Sequence, residues 1–308
     1  MNVLDQNFTE NSAIYNGDSC EVIKGIPDNS IGYSIFSPPF ADLFVYSDSN
    51  RDMGNVKDYN EFWCQFKFLI KELYRVLKPG RSVSIHCMNL PSVKERDGYI
   101  GIKDFRGDIL RAFQNENFIF HSEVCIWKDP LIAAVRTKAY GLMHKTIVKD
   151  SYICRQGIPD YLLTMRKPGE NLEPISHKDG FENDEYYGSD EPQVTGLKRS
   201  HLVWQRYASP VWTDIRQTNV LNFREARQSE DEKHLCPLQI DVIARGIALW
   251  SNPNDIVFTP FLGVGSEVYQ AVKMGRKGLG VELKPSYFSQ AIKNINIIEN
   301  KQNQLKLW

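Results

Sequence analysis

The stretch FTPFLGVGS at residues 258–266 decides the fold of this chain. It follows a short β-branched and aromatic run and precedes a helical repeat, so it predicts a strand, a tight turn and a helix. Gly263 and Gly265 allow the backbone to turn sharply and to approach a ligand closely, and the following helix presents free N–H groups at its start. The next predicted strand ends at Glu282, which is placed to accept hydrogen bonds from the two hydroxyls of a ribose. The stretch therefore predicts the ligand-binding edge of an α/β domain.

The same turn departs from the dinucleotide-binding pattern. That pattern needs a third glycine three residues after the second, where this chain has Val268. A nicotinamide cofactor is therefore disfavoured, although a dehydrogenase stays open as an alternative. An adenosine-containing cofactor without a pyrophosphate fits better, and S-adenosylmethionine is the candidate. Two glycines taken alone would favour a simple turn followed by a solvated glutamate.

Strands and helices alternate on both sides of a less regular central region. Strands are predicted at residues 12–16, 31–37, 81–87, 118–127, 255–260 and 277–283, and helices at residues 59–77, 105–115, 238–250, 266–274 and 285–298. This alternation predicts a largely parallel sheet that is covered by helices on both faces. Residues 168–230 contain several prolines and glycines, an acidic stretch and weak periodicity, so they predict an irregular insert between residues 1–167 and residues 231–308.

Composition narrows the class of protein. The 308 residues, 42% hydrophobic and 24% charged, suit one large domain with an insert or two modest domains. No run of about eighteen apolar residues is present, which excludes a transmembrane helix, and the N-terminus lacks the pattern of a secretory signal. With 37 Lys and Arg against 38 Asp and Glu, contact with nucleic acid has to come from local basic patches. The scattered cysteines, and histidines without ligand spacing, predict reduced thiols, a cytoplasmic protein and no metal site.

The second predicted strand runs directly into the sequence SPPF, formed by Ser37, Pro38, Pro39 and Phe40. Two prolines make the backbone rigid and leave the carbonyls of Ser37 and Pro38 without partners in the strand. At the carboxyl end of a parallel strand these groups face the ligand crevice. The hydroxyl and a carbonyl can accept hydrogen bonds from an amine on a planar ring, while Phe40 stacks on that ring. When these groups accept hydrogen bonds from the amine, the nitrogen lone pair becomes available to attack an electrophilic methyl group. Two prolines alone would instead favour a turn that ends the strand.

The motifs, in the order in which they occur along the chain, resemble those of the amino-group DNA methyltransferases with the permuted β arrangement. These enzymes methylate N4 of cytosine or N6 of adenine. The resemblance covers about residues 15–167 and 231–298 and leaves out the insert. Besides the motifs above it includes GDS at residues 17–19, IPDNS at 26–30, ELYRVLKPG at 72–80, IWK at 126–128 and EKHLCP at 232–237.

The resemblance implies a Rossmann-like, S-adenosylmethionine-dependent methyltransferase fold with a mostly parallel seven-stranded sheet. Residues 1–167 would form the catalytic half, 168–230 an inserted target-recognition region and 231–308 the cofactor-binding half. Asp18 would accept a hydrogen bond from the cofactor adenine and Glu282 would hold its ribose. The pocket would be lined by Phe261, Gly263, Gly265 and Ser266, with Lys233 and His234 nearby. The family often has Asp where Thr259 stands here, so no contact is expected from that position.

The motif around Ser37 would hold a base that is flipped out of double-stranded DNA. Cytosine-N4 enzymes usually begin this motif with Ser and adenine enzymes with Asp, so the sequence favours cytosine, with adenine as the alternative. Residues 42–55 are expected to close over the flipped base. Basic residues within 128–167 and 198–206 are expected to contact phosphates. The predicted protein is a bacterial or phage enzyme, whereas methylation of RNA or a small molecule, or a silent DNA-binding regulator, remain alternatives.

Overall fold

The computed structural model describes residues 3–39, 59–92, 94–132, 143–153, 156–226 and 237–306. Within them, nine strands form one sheet in the order β1-β2-β11-β10-β3-β4-β8-β7-β9, and β5 and β6 form a separate hairpin. The strands are β1 Val3–Phe8, β2 Ser12–Gly17, β3 Ile31–Phe36, β4 Leu77–Met88, β5 Leu90–Ser92, β6 Gly101–Lys103, β7 Ile119–Ile126, β8 Asp160–Arg166, β9 Val211–Trp212, β10 Ile256–Thr259 and β11 Lys277–Glu282.

Helices fill the connections between these strands. They are α1 Ser19–Val22, α2 Tyr59–Val76, α3 Lys94–Asp97, α4 Phe105–Asn115, α5 His144–Ile147, α6 Gly196–Tyr207, α7 Ile240–Trp250, α8 Ser266–Lys273 and α9 Pro285–Lys306. Single 3₁₀ turns span Ile23–Gly25, Ser151–Ile153 and Arg224–Ala226. Across the described ranges, no helix has the length and apolar character needed to cross a membrane.

The α/β class and the mostly parallel sheet are confirmed. Strands β2, β11, β10, β3 and β4 run parallel to one another, and β9 is parallel to β7. Strands β1, β8 and β7 join their neighbours in antiparallel pairs. The sheet has nine strands rather than the seven expected, because β1 and the two-residue β9 extend its two edges.

Helices cover both faces of the sheet, as the alternation predicted. On one face α2 and α4 bury Phe66 and Phe113 against Ile85 of β4. On the other face α7 buries Ile243 against Tyr33 and Ile35 of β3. Helices α8 and α9 pack beside it over β2. Burial of each such side chain contributes about 1.5–3 kcal/mol, so the two hydrophobic clusters hold the central strands, and therefore their carboxyl ends, in a fixed arrangement.

The insert is more ordered than its sequence predicts, because residues 168–226 include α6 and β9. Helix α6 buries Val203 and Tyr207 against Ala248 of α7. Its helical period is masked in the sequence because Leu197 and Trp204, two large apolar residues of the same helix, are 68% and 54% exposed. The expectation of little regular structure holds for most of this region, but it missed α6 and β9.

The insert crosses from one end of the sheet to the other. Near its start, Glu173 and Pro174 accept hydrogen bonds from Asn252, which lies between the end of α7 and the amino end of β10. The later segment 209–226 returns to the opposite end, where Trp212 pairs with the last residue of β7. This later segment therefore lies beside the carboxyl end of β7.

Candidate active site

Four of the predicted motifs lie along one edge of the sheet. Ser37 follows β3, the glycine turn follows β10, Glu282 ends β11 and Asp18 follows β2. These four strands are neighbours and run in the same direction. The carboxyl ends of parallel strands form the ligand crevice of an open α/β sheet, so these four positions line one crevice.

The serine motif and the glycine turn are direct neighbours. Ser34 of β3 pairs with Phe258 of β10, and its hydroxyl donates to the Phe258 carbonyl at 2.8 Å. Three residues further along each strand, the chain reaches Ser37 and Phe261. The rings of Phe36 and Phe261 lie 5.6 Å apart between their centroids. Two motifs that are more than 200 residues apart in the sequence therefore meet near the middle of the carboxyl edge of the sheet.

The glycine turn has the backbone conformation that its sequence predicts. Gly263 and Gly265 adopt φ values of +54° and +95°, in the region that favours glycine. A Cβ atom at Gly265 would lie 3.2 Å from the Cβ of Ala291 on α9, whereas one at Gly263 would meet nothing within 4 Å. The backbone at Gly263 thus borders open space, and Gly265 lets the turn pack closely against α9.

Two carboxylates lie beside the turn. Glu282 accepts hydrogen bonds from the backbone N–H of Gly263 at 2.7 Å and of Lys284 at 2.8 Å. Asp18 caps α1 by accepting from the N–H of Cys20 at 2.9 Å. Backbone hydrogen bonds of this kind fix the orientation of both carboxylates at the ends of adjacent strands.

The residues present fit an adenosine-containing sulfonium cofactor. Ser266 begins α8 with a buried hydroxyl oxygen that has no hydrogen-bond partner in the described part of the chain. Glu267 is buried beside it, and burial together with the charge of Glu282 raises its pKa to about 8. Thr259 is fully buried and its hydroxyl oxygen is also without a partner among the described residues. The absence of a ligand contact at position 259 stays a prediction.

A chain of polar side chains extends from Ser37 into the protein. The Ser37 hydroxyl lies 2.8 Å from Nδ1 of His86 on β4, and Nε2 of the same ring lies 3.0 Å from Oδ2 of Asp160 on β8. Lys128, directly beyond β7, places Nζ 2.5 Å from the same carboxylate oxygen and donates to Gln217 at 2.8 Å. The sequence did not predict His86, Asp160 or Gln217 as residues of the site. The alternation within β4, which points His86 to the same face as Ser84, was the one signal available.

Several basic side chains of the two predicted DNA-binding clusters already make contacts within the protein. The side chain of Lys128 is largely covered and binds Asp160, and Lys167 is buried and donates to the Leu77 carbonyl. Lys145 and Lys149 lie on or just after α5 with exposed side chains. In the second cluster, Arg199 pairs with Glu191 and Arg206 pairs with Asp190.

The predicted site residues lie partly within and partly outside the described ranges. Phe40, Lys233, His234 and the segment 42–55 lie outside the described residues. Pro38 and Pro39 are described and buried beside Ser37. In the described ranges no group of three His, Cys, Asp or Glu side chains is arranged to hold a metal ion, and Cys20, Cys64, Cys87 and Cys125 are unpaired thiols.

Residues 32–293 match the model of the N6/N4 methyltransferase family, described as DNA methylase. The chain is 25% identical over 277 residues to Type II methyltransferase M.BglII from Bacillus subtilis, and the match covers 89% of this chain and 66% of that relative. It thus spans about two thirds of the length of that relative.

Two solved structures share the fold. The PvuII DNA methyltransferase (cytosine-N4-specific) matches with a TM-score of 0.65 and 16% identity over 97% of this chain and 96% of that one. TTHA0409 from Thermus thermophilus, complexed with S-adenosyl-L-methionine, matches with a TM-score of 0.63 and 22% identity over 94% and 95%.

Proposed function

Because the chain belongs to the N6/N4 DNA methylase family, we propose that it transfers a methyl group from S-adenosylmethionine to an exocyclic amine of a base in DNA. The family and the Rossmann-like methyltransferase fold that the sequence predicted are confirmed. One observation carries the proposal to particular residues: Ser37 and the glycine turn lie side by side on β3 and β10. A methyl donor and a methyl acceptor held at the carboxyl ends of these two strands would be close enough to react.

The cofactor would lie over the glycine turn. Glu282 would accept hydrogen bonds from its ribose hydroxyls, and Asp18 would accept one from its adenine. Phe261, Gly263, Gly265 and Ser266 would line the pocket, with Lys233 and His234 nearby. When bound, S-adenosylmethionine supplies an electrophilic methyl group and leaves as S-adenosylhomocysteine, with the electron pair of the broken bond on sulfur.

The base would lie against Ser37, Pro38, Pro39 and Phe40. The Ser37 hydroxyl and a proline-flanked carbonyl accept hydrogen bonds from the amine, which localises its lone pair on nitrogen. The nitrogen uses that pair to form the new N–C bond. The base can reach this edge only after it leaves the duplex, at a cost of a few kcal/mol.

The target amine in this proposal is N4 of cytosine, with N6 of adenine as the alternative. The support is the serine at the start of the SPPF motif, because cytosine-N4 enzymes of the family usually begin this motif with Ser and adenine enzymes with Asp. The PvuII enzyme, whose fold this chain shares, is cytosine-N4-specific by name.

Double-stranded DNA is the proposed partner, and the insert 168–230 is proposed to take part in choosing the sequence. Within the insert we assign the contact to residues 209–226, because this segment reaches the edge that carries Ser37. Gln217 binds Lys128 there, so the segment is joined directly to the polar chain behind the serine.

A mass measurement tests the proposal. Purified protein is incubated with unmethylated plasmid DNA and S-adenosylmethionine, and the DNA is digested to nucleosides. N4-methylcytosine is the expected product, N6-methyladenine would establish the alternative, and no methylated nucleoside from the wild type would overturn the proposal and favour a silent DNA-binding regulator. Ser37→Ala should abolish the product and leave cofactor binding unchanged, whereas Ser84→Ala, a buried serine on the neighbouring strand β4, should remain active.

A further inference from the structure

Behind Ser37 lies a buried line of hydrogen bonds. Its hydroxyl meets Nδ1 of His86 at 2.8 Å, and Nε2 of His86 meets Asp160 at 3.0 Å. The His86 and Asp160 side chains are 9% and 10% exposed. The three residues come from β4, β8 and the end of β3, three neighbouring strands of the sheet.

The direction of these hydrogen bonds follows from the charge of Asp160. Burial alone would raise the pKa of this carboxyl, but the His86 hydrogen bond and the Lys128 ammonium group outweigh it and leave the pKa below its ordinary value. Asp160 is therefore ionised and can only accept a hydrogen bond. Nε2 of a neutral His86 must then carry the proton, which leaves Nδ1 as an acceptor for the Ser37 hydroxyl.

This tautomer orients Ser37 for the amine. Because the hydroxyl proton points inward to His86, the oxygen lone pairs remain available on the side of the crevice. The line of residues thus presents an acceptor to the substrate and a base behind that acceptor.

We propose that His86 is the group that takes up the proton released by the target amine, and that Asp160 stabilises the imidazolium that forms. This inference rests on the methyl transfer proposed above. After the N–C bond forms, the amine nitrogen carries a positive charge and one proton more than the neutral product. That proton passes to the Ser37 oxygen while the Ser37 proton passes to Nδ1 of His86. The hydroxyl is regenerated, the charge moves to His86, and the proton then leaves to solvent.

The other ionisable groups named around His86 either have an oppositely charged partner or stay protonated. Asp160 and Lys128 contact each other and hold opposite charges. On α7, which packs against β3 and β4, the charge of Asp241 is matched by Arg216. Burial raises the pKa of Tyr33 on β3, so this phenol stays protonated.

The test compares His86→Gln with the wild type under single-turnover conditions, with unmethylated plasmid DNA and nucleoside mass analysis from about pH 5.5 to 9. A glutamine amide can bond both Ser37 and Asp160 but cannot take up a proton. We expect the rate at neutral pH to fall on the order of 100-fold or more. A decline of the wild-type rate toward acidic pH that depends on His86 should be absent in the variant. Cofactor affinity should stay unchanged.

The outcomes separate this inference from the proposed function. If the wild type and Ser84→Ala methylate DNA and His86→Gln keeps a rate within about threefold of them, a positioning role suffices and proton uptake by His86 is overturned. If the wild type itself makes no methylated nucleoside, the proposed function fails and the inference fails with it.

A second measurement reads the protonation of His86 directly in the wild type. Nitrogen-15 NMR of the histidine rings distinguishes the two neutral tautomers, and His86→Gln or Asp160→Asn assigns the resonance. We expect the His86 proton on Nε2 at neutral pH. A proton on Nδ1 would overturn the inference, because that nitrogen could not then accept from Ser37.

Discussion

The backbone N–H of Gly263 donates a hydrogen bond to Oε2 of Glu282 at 2.7 Å. This contact joins the turn after β10 to the end of β11, and Oε1 of the same carboxylate accepts from the N–H of Lys284 at 2.8 Å. A carboxylate held by two backbone groups keeps a fixed orientation at the edge of the crevice. A ribose hydroxyl would donate to the same carboxylate, since each of its oxygens can accept more than one hydrogen bond.

Replacing Glu282 should weaken cofactor binding. Glu282→Gln keeps an acceptor for Gly263 but loses the charge that strengthens hydrogen bonds to ribose, so we expect the Kd for S-adenosylmethionine to rise about 10-fold or more. Isothermal titration calorimetry measures it. Glu185→Gln, which removes an exposed ion-pair partner of Lys273, is the matched control and should bind normally. An unchanged Kd in Glu282→Gln would remove the ribose role.

Gly265→Ala should lower both stability and cofactor affinity. The left-handed backbone costs a non-glycine residue about 1–2 kcal/mol, and the new methyl group would also press on Ala291 at 3.2 Å. Gly275 has a φ of +72°, and a Cβ atom added there would meet nothing within 4 Å, so Gly275→Ala incurs the backbone cost alone. Thermal denaturation should show the larger loss for Gly265→Ala, and only this variant should bind the cofactor less tightly. Equal losses, with normal binding in both, would contradict the close packing of the turn.

The buried Glu267 should make stability depend on pH. Its pKa is raised from 4.5 to about 8 by burial and by the charge of Glu282. Between these values the folded protein keeps a proton that the unfolded chain releases, so the free energy of unfolding falls as the pH rises through this window. The fall is about 1.4 kcal/mol for each unit by which the pKa is raised.

Glu267→Gln removes this ionisation and provides the comparison. The variant should match the wild type near pH 5 and exceed its stability near pH 9, as measured by urea unfolding at both values. The quantity to compare is the difference in the free energy of unfolding between variant and wild type, because the contributions of all other ionisable groups cancel in that difference. Asp190→Asn, at a carboxylate that is 76% exposed, should give a curve parallel to that of the wild type. A curve for Glu267→Gln that is parallel to that of the wild type would show that folding does not change the pKa of Glu267.

Much of the fold follows from local signals in the sequence. Helix α4 was predicted at its observed bounds, and the structure shows its start capped by Asp104, which accepts a hydrogen bond from Gly107. The serine motif and the glycine turn were each predicted at strand ends, and their meeting follows from the parallel pairing of β3 with β10. These features depend on residues close together in the chain or on a regular sheet.

The parts that were missed depend on contacts between distant residues. Most residues of strand β8 are buried on both faces of the sheet, so its sequence DYLLTMR lacks the alternation of a strand with one exposed face. The contact of His86 with Asp160 requires that β8 lie next to β4 in the sheet. These two residues are 74 positions apart, so no local pattern in the sequence encodes that order. Arg245 illustrates the same limit in the insert, since it is fully buried on α7 and ion-paired with Asp214 at 2.7 Å.

The position of the exposed lysines predicts which segments bind DNA. The chain between β7 and β8 leaves and re-enters the sheet at the paired residues Ile126 and Asp160, at the edge that carries Ser37. Lys145 and Lys149 are exposed within this segment. Replacing both with alanine should weaken DNA binding and reduce the slope of log affinity against log salt by about 1–2, because each phosphate contact contributes about 0.9.

Lys178→Ala/Lys198→Ala is the matched control for this variant, and it also tests the expectation from the sequence that residues 198–206 contact phosphates. It removes the same charge from exposed residues of the part of the insert near the carboxyl end of α7, where Phe181 donates to Ser200 at 2.9 Å. Fluorescence anisotropy with a labelled duplex at several salt concentrations should show normal affinity and slope for this control. The reverse result, with the control weakened and Lys145→Ala/Lys149→Ala unchanged, would place the DNA along the first half of the insert and at the opposite end of the sheet from Ser37.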